Sequence, residues 1–363
     1  MVEVRVFTDA ALRELSRSPR ARLQRRLAPP NVPGPDVPGP DVPGPDMPGP
    51  DVPGPDAAGL DAAGLDLAGP DVAGPDLTGP DVAGPDLTGL RDELAQLEGE
   101  HRGQRERYLD WITTILGTAA ERHGRSGLRL LTGRTLTFFA AYPGVEPVRD
   151  DLPPPMADEV AAAAARGDAD GALAVFDRRE AEWRSVIDVL RDWLSALLSQ
   201  VYAEWGPDEL EAFHRRRGED ALRGLMADID RPPGERLVNL VRLLQGHFTD
   251  LDVTEDDEKF TIVQDPCGTC ARQVLDGRFG AGLGLAVVGD EHRVAWGGRP
   301  TTIYRTHVPI WHVEMARERL GAPWPVNRCP SGLDGGACTI LLYKDPRDPS
   351  AAARVPRASA EPA

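Results

Sequence analysis

Apolar residues in the middle of the chain recur at the three- and four-residue spacing of an amphipathic helix. The first such run begins near Asp92, and Gly124 supplies a stop signal after it. Its apolar face carries Tyr108, Trp111, Ile112, Ile115, Leu116 and Ala119. The pattern therefore predicts a helix that packs through one apolar stripe and ends near Gly124.

A second run repeats this pattern 82 residues later. The matching positions are Asp110-Trp111-Ile112 with Asp192-Trp193-Leu194, Ile115-Leu116 with Leu197-Leu198, Gly124 with Gly206, and Leu128 with Leu210. Two copies of a helix–turn–helix unit would pack their apolar stripes together, with the tryptophans as core residues. We also predict helices from Asp168 to Trp205, from Pro207 onward, and from Pro233 to Gln245, since proline is favoured in the first helical turn.

The hydrophobic period changes after residue 250. Residues 251–255 and 259–264 alternate in polarity around an acidic turn, which predicts a β-hairpin with a solvated tip. A short amphipathic helix is predicted at 310–320 and two further strands at 325–328 and 339–343. The fold class expected from these patterns is α+β: a mainly helical domain with a duplicated helix pair, followed by a small antiparallel sheet that bears a Cys/His cluster.

Composition divides the chain into five regions. Residues 1–28 read as a short strand and an arginine-rich helix capped by Thr8, a charged arm that packs loosely or not at all. Twelve Pro/Gly/Asp pentads in region 29–90 predict a disordered linker, because proline removes backbone donors and favours an extended, hydrated chain. The helical domain then covers 91–248, the Cys/His domain 249–345, and a disordered tail 346–363.

The formal net charge of −17 comes largely from the pentads, which hold eleven aspartates and no basic residue. The remaining chain carries only −6, which gives no reason to expect a nucleic-acid partner. The N-terminus lacks the pattern of a secretory signal, and no apolar run is long enough to span a membrane. We therefore predict a cytoplasmic protein with no membrane partner, in a compartment where clustered cysteines are metal ligands or reactive thiols before they are disulfides.

The chemistry is expected near four cysteines, all in the last hundred residues. The cysteines are Cys267, Cys270, Cys329 and Cys338, and His292, His307 and His312 lie between the two pairs. If the last two strands pair as a hairpin, and the strand before Cys267 runs parallel to the one before Cys329, their sulfurs gather at one edge of the sheet. His312 would lie one turn into the helix that crosses this edge.

Several mechanisms can use such a cluster. Four thiolates make a closed structural zinc site, whereas two cysteines and a histidine leave a position open for a metal-bound hydroxide, with zinc or iron as the metal. Alternatively, Cys267 is a thiolate nucleophile with His307 or His312 as its base. The succession of a strand, the Cys-Gly-Thr-Cys segment and a short helix also suggests a redox-active dithiol. The βαβ pattern that surrounds such motifs is missing from this sequence.

Four segments form an ordered series: Glu255-Asp-Asp-Glu-Lys-Phe, Asp265-Pro-Cys-Gly, Glu291-His-x-x-Ala-Trp-Gly-Gly and Ala337-Cys-Thr-Ile-Leu-Leu-Tyr-Lys-Asp-Pro. The series resembles a group of largely uncharacterised bacterial proteins with an Asp-Pro-Cys-Gly motif. The C-terminal forty residues are also weakly similar to the L-2-amino-thiazoline-4-carboxylic acid hydrolase family. These resemblances imply a site of Cys267, Cys338 and a histidine. Cys270 stands where the bacterial group has glycine, which weighs against four cysteine ligands.

The sequence thus predicts an enzyme that hydrolyses a small organic molecule at a Cys/His site, with or without bound zinc or iron. Cys267 would be nucleophile or metal ligand, His307 or His312 base or ligand, and Arg272 and Arg293 would hold a substrate carboxylate. One alternative is a non-catalytic ligand-binding or sensor protein with a structural zinc site. Another is an interaction protein that reaches a protein partner through residues 1–90.

Overall fold

The computed structural model describes residues 6–28, 87–142, 155–289, 292–295, 299–328, 333 and 335–346. All of these residues belong to one compact unit, so the predicted regions 91–248 and 249–345 fold together. The pentads before residue 87 and the tail beyond residue 346 lie outside the described residues. The predictions of a disordered linker and tail therefore stay predictions.

The N-terminal arm forms two short helices, α1 (Asp9–Ser16) and α2 (Pro19–Leu27). The Thr8 hydroxyl caps α1 as predicted, since it accepts a hydrogen bond from the backbone N–H of Ala11 at 3.2 Å. The prediction of a loosely packed arm is wrong, because Leu12 and Leu23 are buried against the rest of the protein. Val6 and Phe7 are not in a strand, and their N–H groups donate to the carboxylate of Glu255.

Two long helical segments form most of the structure, and each is broken at one glycine. Helix α3 (Leu87–Ala141) breaks at Gly124 with φ 63°, and α5 (Ala169–Ile229) breaks at Gly206 with φ 84°. Only glycine adopts such angles without strain, so these breaks confirm the predicted equivalence of the two positions. Helix α3 begins at Leu87, a few residues inside the region assigned to the linker. Helices α4 (Met156–Ala165) and α6 (Pro233–Gln245) complete the helical part.

The apolar stripes of α3 and α5 pack together as the duplicated pattern predicts. Trp111, Ile112 and Ile115 from α3 share one buried cluster with Leu194, Leu197 and Leu198 from α5. Trp193 packs against the same cluster but keeps part of its surface accessible. Burying apolar side chains of this size stabilises a fold by about 1.5–3 kcal/mol each, so this interface is the main stabilising contact of the helical part.

The sheet has four antiparallel-paired strands in the order β1-β2-β6-β5. They are β1 (Leu251–Glu255), β2 (Lys259–Gln264), β5 (Val326–Arg328) and β6 (Cys338–Tyr343). Strand β6 pairs with both β2 and β5, so β2 and β5 run parallel to each other on either side of it. Although β6 follows all other described strands in the sequence, it is central in the sheet. This topology confirms the α+β prediction.

Short elements connect the sheet to the helical part. Helix α7 (Cys270–Leu275) follows β2, and the two-residue strands β3 (Val287–Val288) and β4 (Thr301–Thr302) pair with each other. A 3₁₀ turn at Ile303–Thr306 precedes a π-helical stretch at Pro309–Met315, which continues as α8 (Ala316–Leu320). None of the described helices carries a stretch that is long and apolar enough to cross a membrane.

Candidate functional site

The Cys-Gly-Thr-Cys loop joins the end of β2 to the start of α7, as the sequence predicts. Pro266 lacks an N–H and cannot continue the ladder of β2. The loop is held by Thr249, whose hydroxyl donates to the Pro266 carbonyl at 2.7 Å and accepts from the Gly268 N–H at 3.1 Å. The N–H of Arg272 donates to the Cys267 carbonyl at 3.1 Å. These contacts place the two cysteines of the loop on the inner side of the sheet edge.

Gly268 permits a very close approach between this loop and the segment after α6. A Cβ atom built on Gly268 would lie 2.0 Å from the His247 carbonyl oxygen and 3.1 Å from the Cβ of Thr249. No side chain fits there without moving backbone. The glycine of the motif is therefore required for packing, and the cysteines lie directly beside residues 247–249.

The Cys267 sulfur accepts hydrogen bonds that favour its thiolate form. It lies 3.8 Å from the Cys270 sulfur and 3.3 Å from the Thr269 hydroxyl oxygen. The hydrogen bond from Cys270 is the main cause that lowers the pKa of Cys267 to about 5, and the Thr269 hydroxyl and the N–H groups of Thr269 and Ala271 add to it. The same hydrogen bond and burial raise the pKa of Cys270 well above its usual value. The pair thus holds one proton, on Cys270.

Cys338 brings a third sulfur to this place. It is the first residue of β6 and pairs with Gln264, the last residue of β2. The sulfurs of Cys267, Cys270 and Cys338 all lie within 4.8 Å of one another, an arrangement that can hold a metal ion. Cys267 and Cys270 are free thiols, whereas Cys338 is disulfide-bonded. In this state Cys338 has no thiolate to offer to a metal, contrary to the expectation of four reduced cysteines. Cys329 lies outside the described residues.

The predicted histidines do not join the sulfur cluster. Among the residues that the structure describes, the group with metal-ligand spacing consists of three cysteines alone. His292 lies at the surface, where its Nε2 is 3.0 Å from the Asp208 carboxylate on α5. His312 donates through Nδ1 to the Trp324 carbonyl at 3.2 Å and so ties the π-helical stretch to the start of β5.

His307 packs against Tyr304. Its Nδ1 donates to the Tyr304 carbonyl at 2.5 Å, and the two rings are 5.1 Å apart. Burial raises the pKa of Tyr304, and its hydrogen bond with Tyr108 and the negative charge of Cys267 add to the effect. Burial also lowers the pKa of His307 to about 3, so the ring is neutral. The hydrogen bonds of Cys267 go to Thr269 and Cys270, so within the described part of the chain no histidine acts as its base.

The two arginines predicted to bind substrate have different surroundings. Arg293 is half-exposed and pairs with Glu211 on α5, next to the His292–Asp208 pair and apart from the cysteine cluster. Arg272 belongs to α7 and is buried, with one guanidinium nitrogen bound to Asp188. Its Nε is buried without a hydrogen-bond partner. Only Arg272 of this pair therefore lies beside the cysteines.

A buried polar network, which the sequence analysis did not single out, fixes α7 to α5. Arg191 is fully buried and its guanidinium donates to Asp192 and Asp188. The Asp192 carboxylate also accepts from Gln273 of α7 at 2.8 Å, and Asp188 also accepts from Arg272. Buried charges of this kind persist only when they are paired and hydrogen-bonded. The network therefore sets the position of the helix that carries Cys270.

Positive charge also surrounds His247, next to the cysteine loop. Its Nε2 donates to Gln104, which accepts from Arg107 as well. Burial is the main cause that lowers the pKa of His247 to about 3, and the charges of Arg107 and Arg272 lower it further. Among the described residues, no carboxylate forms an ion pair with Arg107. The surroundings of His247 therefore favour an anion over a cation.

Phe248 adds an unusual backbone feature at the same place. Its φ of 58° lies in the left-handed region, which bulky residues rarely adopt. Its ring stacks on His101 with centroids 4.4 Å apart, and the guanidiniums of Arg184 and Arg272 each lie 5.4 Å from its centroid. Such backbone strain is found most often at functional sites, where surrounding contacts maintain it.

The sequence matches no known protein family and no curated protein, and the fold matches no solved structure. The resemblance to Asp-Pro-Cys-Gly proteins and to the thiazoline carboxylic acid hydrolases therefore stays a prediction. In the structure, Cys267, Cys270 and Cys338 lie together at one edge of an antiparallel sheet. The helical part next to them contains buried arginines.

Proposed function

We propose that this chain is a cytoplasmic enzyme that attacks a small organic molecule with the thiolate of Cys267. The observation that carries the proposal is the set of hydrogen bonds to the Cys267 sulfur from Cys270 and Thr269. A thiolate is the nucleophilic form of cysteine, and here it is stabilised without a histidine partner. Cys270, which is hydrogen-bonded to it, keeps part of its surface accessible.

The reaction class that we propose is hydrolysis through an acyl-enzyme. The Cys267 sulfur forms a bond to an electrophilic carbon, the bond from that carbon to the leaving group breaks, and the leaving group takes a proton from water. A second water molecule then cleaves the thioester, which releases the product acid and returns the Cys267 thiolate. His307 and His312 are neutral or nearly so and would line the substrate space, in place of the roles of base and metal ligand expected from the sequence.

The buried arginines suggest a substrate with a negative group. Arg272 has one nitrogen on Asp188 and a buried Nε without a partner, and Arg107 brings a second positive charge near His247. A carboxylate placed here would receive charge-assisted hydrogen bonds. This supports the proposed role of Arg272, while Arg293 is occupied by Glu211.

The pH dependence of alkylation tests the proposed thiolate. Iodoacetamide should modify Cys267 at a rate that is constant from about pH 6.5 to 8.5 and falls with a midpoint near pH 5, because the thiolate persists down to its pKa of about 5. Mass spectrometry of the peptide 260–272 with fragmentation assigns the modified sulfur. We compare pH profiles and not absolute rates, since a thiolate of low pKa is also intrinsically less nucleophilic.

Two variants show whether the hydrogen bonds are the cause. Thr269→Val removes one donor to a charged acceptor, a loss of about 1.5–3 kcal/mol that should raise the midpoint by about 1–2 pH units. Thr254→Val changes an exposed threonine on β1 and should leave the midpoint unchanged. A wild-type midpoint at pH 8 or above would refute a stabilised thiolate and with it this function.

Metal binding is a second candidate function, favoured by the spacing of the sulfurs. Zinc–sulfur bonds of about 2.3 Å in a tetrahedral site separate two thiolates by about 3.8 Å. The Cys267 and Cys270 sulfurs have this separation, 3.8 Å, and Cys338 completes a group of three within 4.8 Å. Zinc or iron are the metals that such thiolates favour. This site would serve a ligand-binding or sensor protein by stabilising the sheet edge.

Elemental analysis distinguishes the two candidates. If the site is a metal site, protein purified under reducing conditions should contain about one zinc or iron per chain, and Cys338→Ser should lose most of it because only two thiolates remain in the described group. His292→Ala, at the surface and outside the group, is the control and should keep the metal. Protein without bound metal in the reduced state would leave the thiolate enzyme as the better proposal.

A further inference from the structure

We propose that the cysteine cluster carries out an internal thiol–disulfide exchange, in which Cys267 attacks the disulfide of Cys338 and Cys270 then resolves the product. This activity does not depend on the proposed hydrolysis. It rests on the presence, in one small volume, of a free dithiol and a disulfide sulfur.

The geometry brings the reacting sulfurs together from two strands. Cys338 is fixed at the start of β6 by its pairing with Gln264, and the cysteine loop begins three residues after Gln264 on β2. The three sulfurs lie within 4.8 Å of one another, and the side chains of Cys267, Cys338 and Ala271 form one buried cluster with Cys270 packed against it. A disulfide bond is about 2.05 Å long, so the exchange needs movements of only about 2–3 Å.

The chemistry is balanced without an outside oxidant. In the first step the Cys267 thiolate attacks the Cys338 sulfur, a Cys267–Cys338 disulfide forms, and the former partner of Cys338 leaves as a thiolate. In the second step Cys270 attacks the Cys267 sulfur, and its proton passes through solvent to the thiolate released in the first step. A Cys267–Cys270 disulfide forms and Cys338 leaves as a thiolate. The net result is the transfer of two electrons from the loop dithiol to the disulfide of Cys338.

The arrangement of free thiols supports this order of events. Cys267 contacts both neighbours, since it is hydrogen-bonded to Cys270 and belongs to the same group as Cys338. Cys270 lies 3.8 Å from the Cys267 sulfur, so it is in place to attack that sulfur once the Cys267–Cys338 bond has formed. Either product places Cys267 in a disulfide, so the exchange would also switch off any reaction in which Cys267 is the nucleophile. A dithiol reductant would restore the Cys267 thiol by reducing the disulfide that holds it, and the reductant would itself become a disulfide.

Peptide mapping tests the exchange directly, because trypsin places the two reacting groups on separate peptides. Cleavage after Lys259, Arg272, Arg328 and Lys344 gives the peptides 260–272 and 329–344. The first contains Cys267 and Cys270, which are free thiols, so the starting disulfide does not join the two peptides. The protein, purified without reductant, is incubated at pH 7, blocked with N-ethylmaleimide in acidic denaturant and digested. A link between the two peptides is then produced only by exchange.

The Cys270→Ser variant should accumulate this link, because the resolving thiol is absent. In the wild type, the second step should replace it with a disulfide inside the peptide 260–272. Cys267→Ser should show at least about tenfold less link than Cys270→Ser, since the attacking thiol is gone. Thermal unfolding of both variants verifies that each is folded. Cys270→Ala serves as a second variant without the resolving thiol and is checked in the same way. A non-reducing gel verifies that the linked species is one chain.

Two outcomes would overturn the proposal. One is a folded Cys270→Ser protein with an intact disulfide and no link between the peptides after hours at pH 7, a time sufficient for ordinary disulfide exchange. The other is an equal amount of link in Cys267→Ser, which would show that Cys267 is not the attacking sulfur. The alkylation profile measures the Cys267 thiolate separately, so failure of the exchange and failure of the proposed enzyme can be told apart.

Discussion

Replacing Asp192 with alanine should lower the free energy of unfolding by about 3–5 kcal/mol. Asp192 is fully buried and accepts hydrogen bonds from Arg191, Gln273 and Tyr142. Without it, the buried guanidinium of Arg191 would retain only Asp188 as a charged partner. The Tyr142 hydroxyl would lose its acceptor, and Gln273 would keep only its hydrogen bond to the Ser195 hydroxyl. Urea-induced unfolding followed by circular dichroism measures the change.

The matched control is Asp208→Ala, on the same helix. Asp208 is 90% exposed and pairs with His292 at the surface, so its loss should change the free energy of unfolding by less than about 0.5 kcal/mol. Asp192→Ala should also perturb the alkylation profile of Cys267, because Gln273 ties α7 to α5. Equal stability of the two variants would contradict the role of the buried network.

Replacing Gly268 with alanine should both destabilise the protein and disturb the cysteine site. The added Cβ would lie 2.0 Å from the His247 carbonyl oxygen, and that neighbour is backbone and cannot rotate away. Insertion of a methyl group into such a contact costs about 1–3 kcal/mol. The loop must also move, which breaks the Gly268–Thr249 hydrogen bond and separates Cys267 from its donors. Thermal unfolding and the pH midpoint of Cys267 alkylation should therefore change together.

Gly117→Ala provides the control for this substitution. Gly117 lies in α3 with nothing within 4 Å of its built Cβ, so alanine should be neutral or stabilise the helix by up to about 1 kcal/mol. The alkylation profile should stay that of the wild type. If Gly268→Ala left both the stability and the profile unchanged, the close approach between the loop and residue 247 would not be a requirement of the fold.

Much of the fold could be predicted because its signals are local. The glycines at 124 and 206 occupy equivalent places in two apolar patterns, and both break a helix with positive φ. The hairpin at 251–264 followed from alternating polarity and an acidic turn. The meeting of Cys267 with Cys338 followed from strand directions alone, because a strand that ends beside the start of its antiparallel neighbour brings the flanking residues together.

The rest of the site depends on contacts that sequence spacing does not encode. Asp188, Arg191 and Asp192 have the spacing of a solvated helical ion pair, and nothing in the sequence shows that α7 covers them. His307 and His312 were expected to face the cysteines, yet their Nδ1 atoms are bound to carbonyl groups of nearby loops. Thr269 was overlooked as a donor, although its place inside the Cys-x-x-Cys loop is a signal that could have identified it. The arm of residues 6–28 packs through two leucines, although its high arginine content indicated an exposed segment.

The central position of β6 determines when the sulfur cluster can assemble during synthesis on the ribosome. Strands β2 and β5 leave the exit tunnel before β6, but in the finished sheet they are joined only through it. The sheet must therefore remain open until residues 338–343 have been translated, and until then Cys267 has no third sulfur beside it. A nascent chain that stalls before this point would expose a dithiol and two unpaired strand edges to quality-control factors.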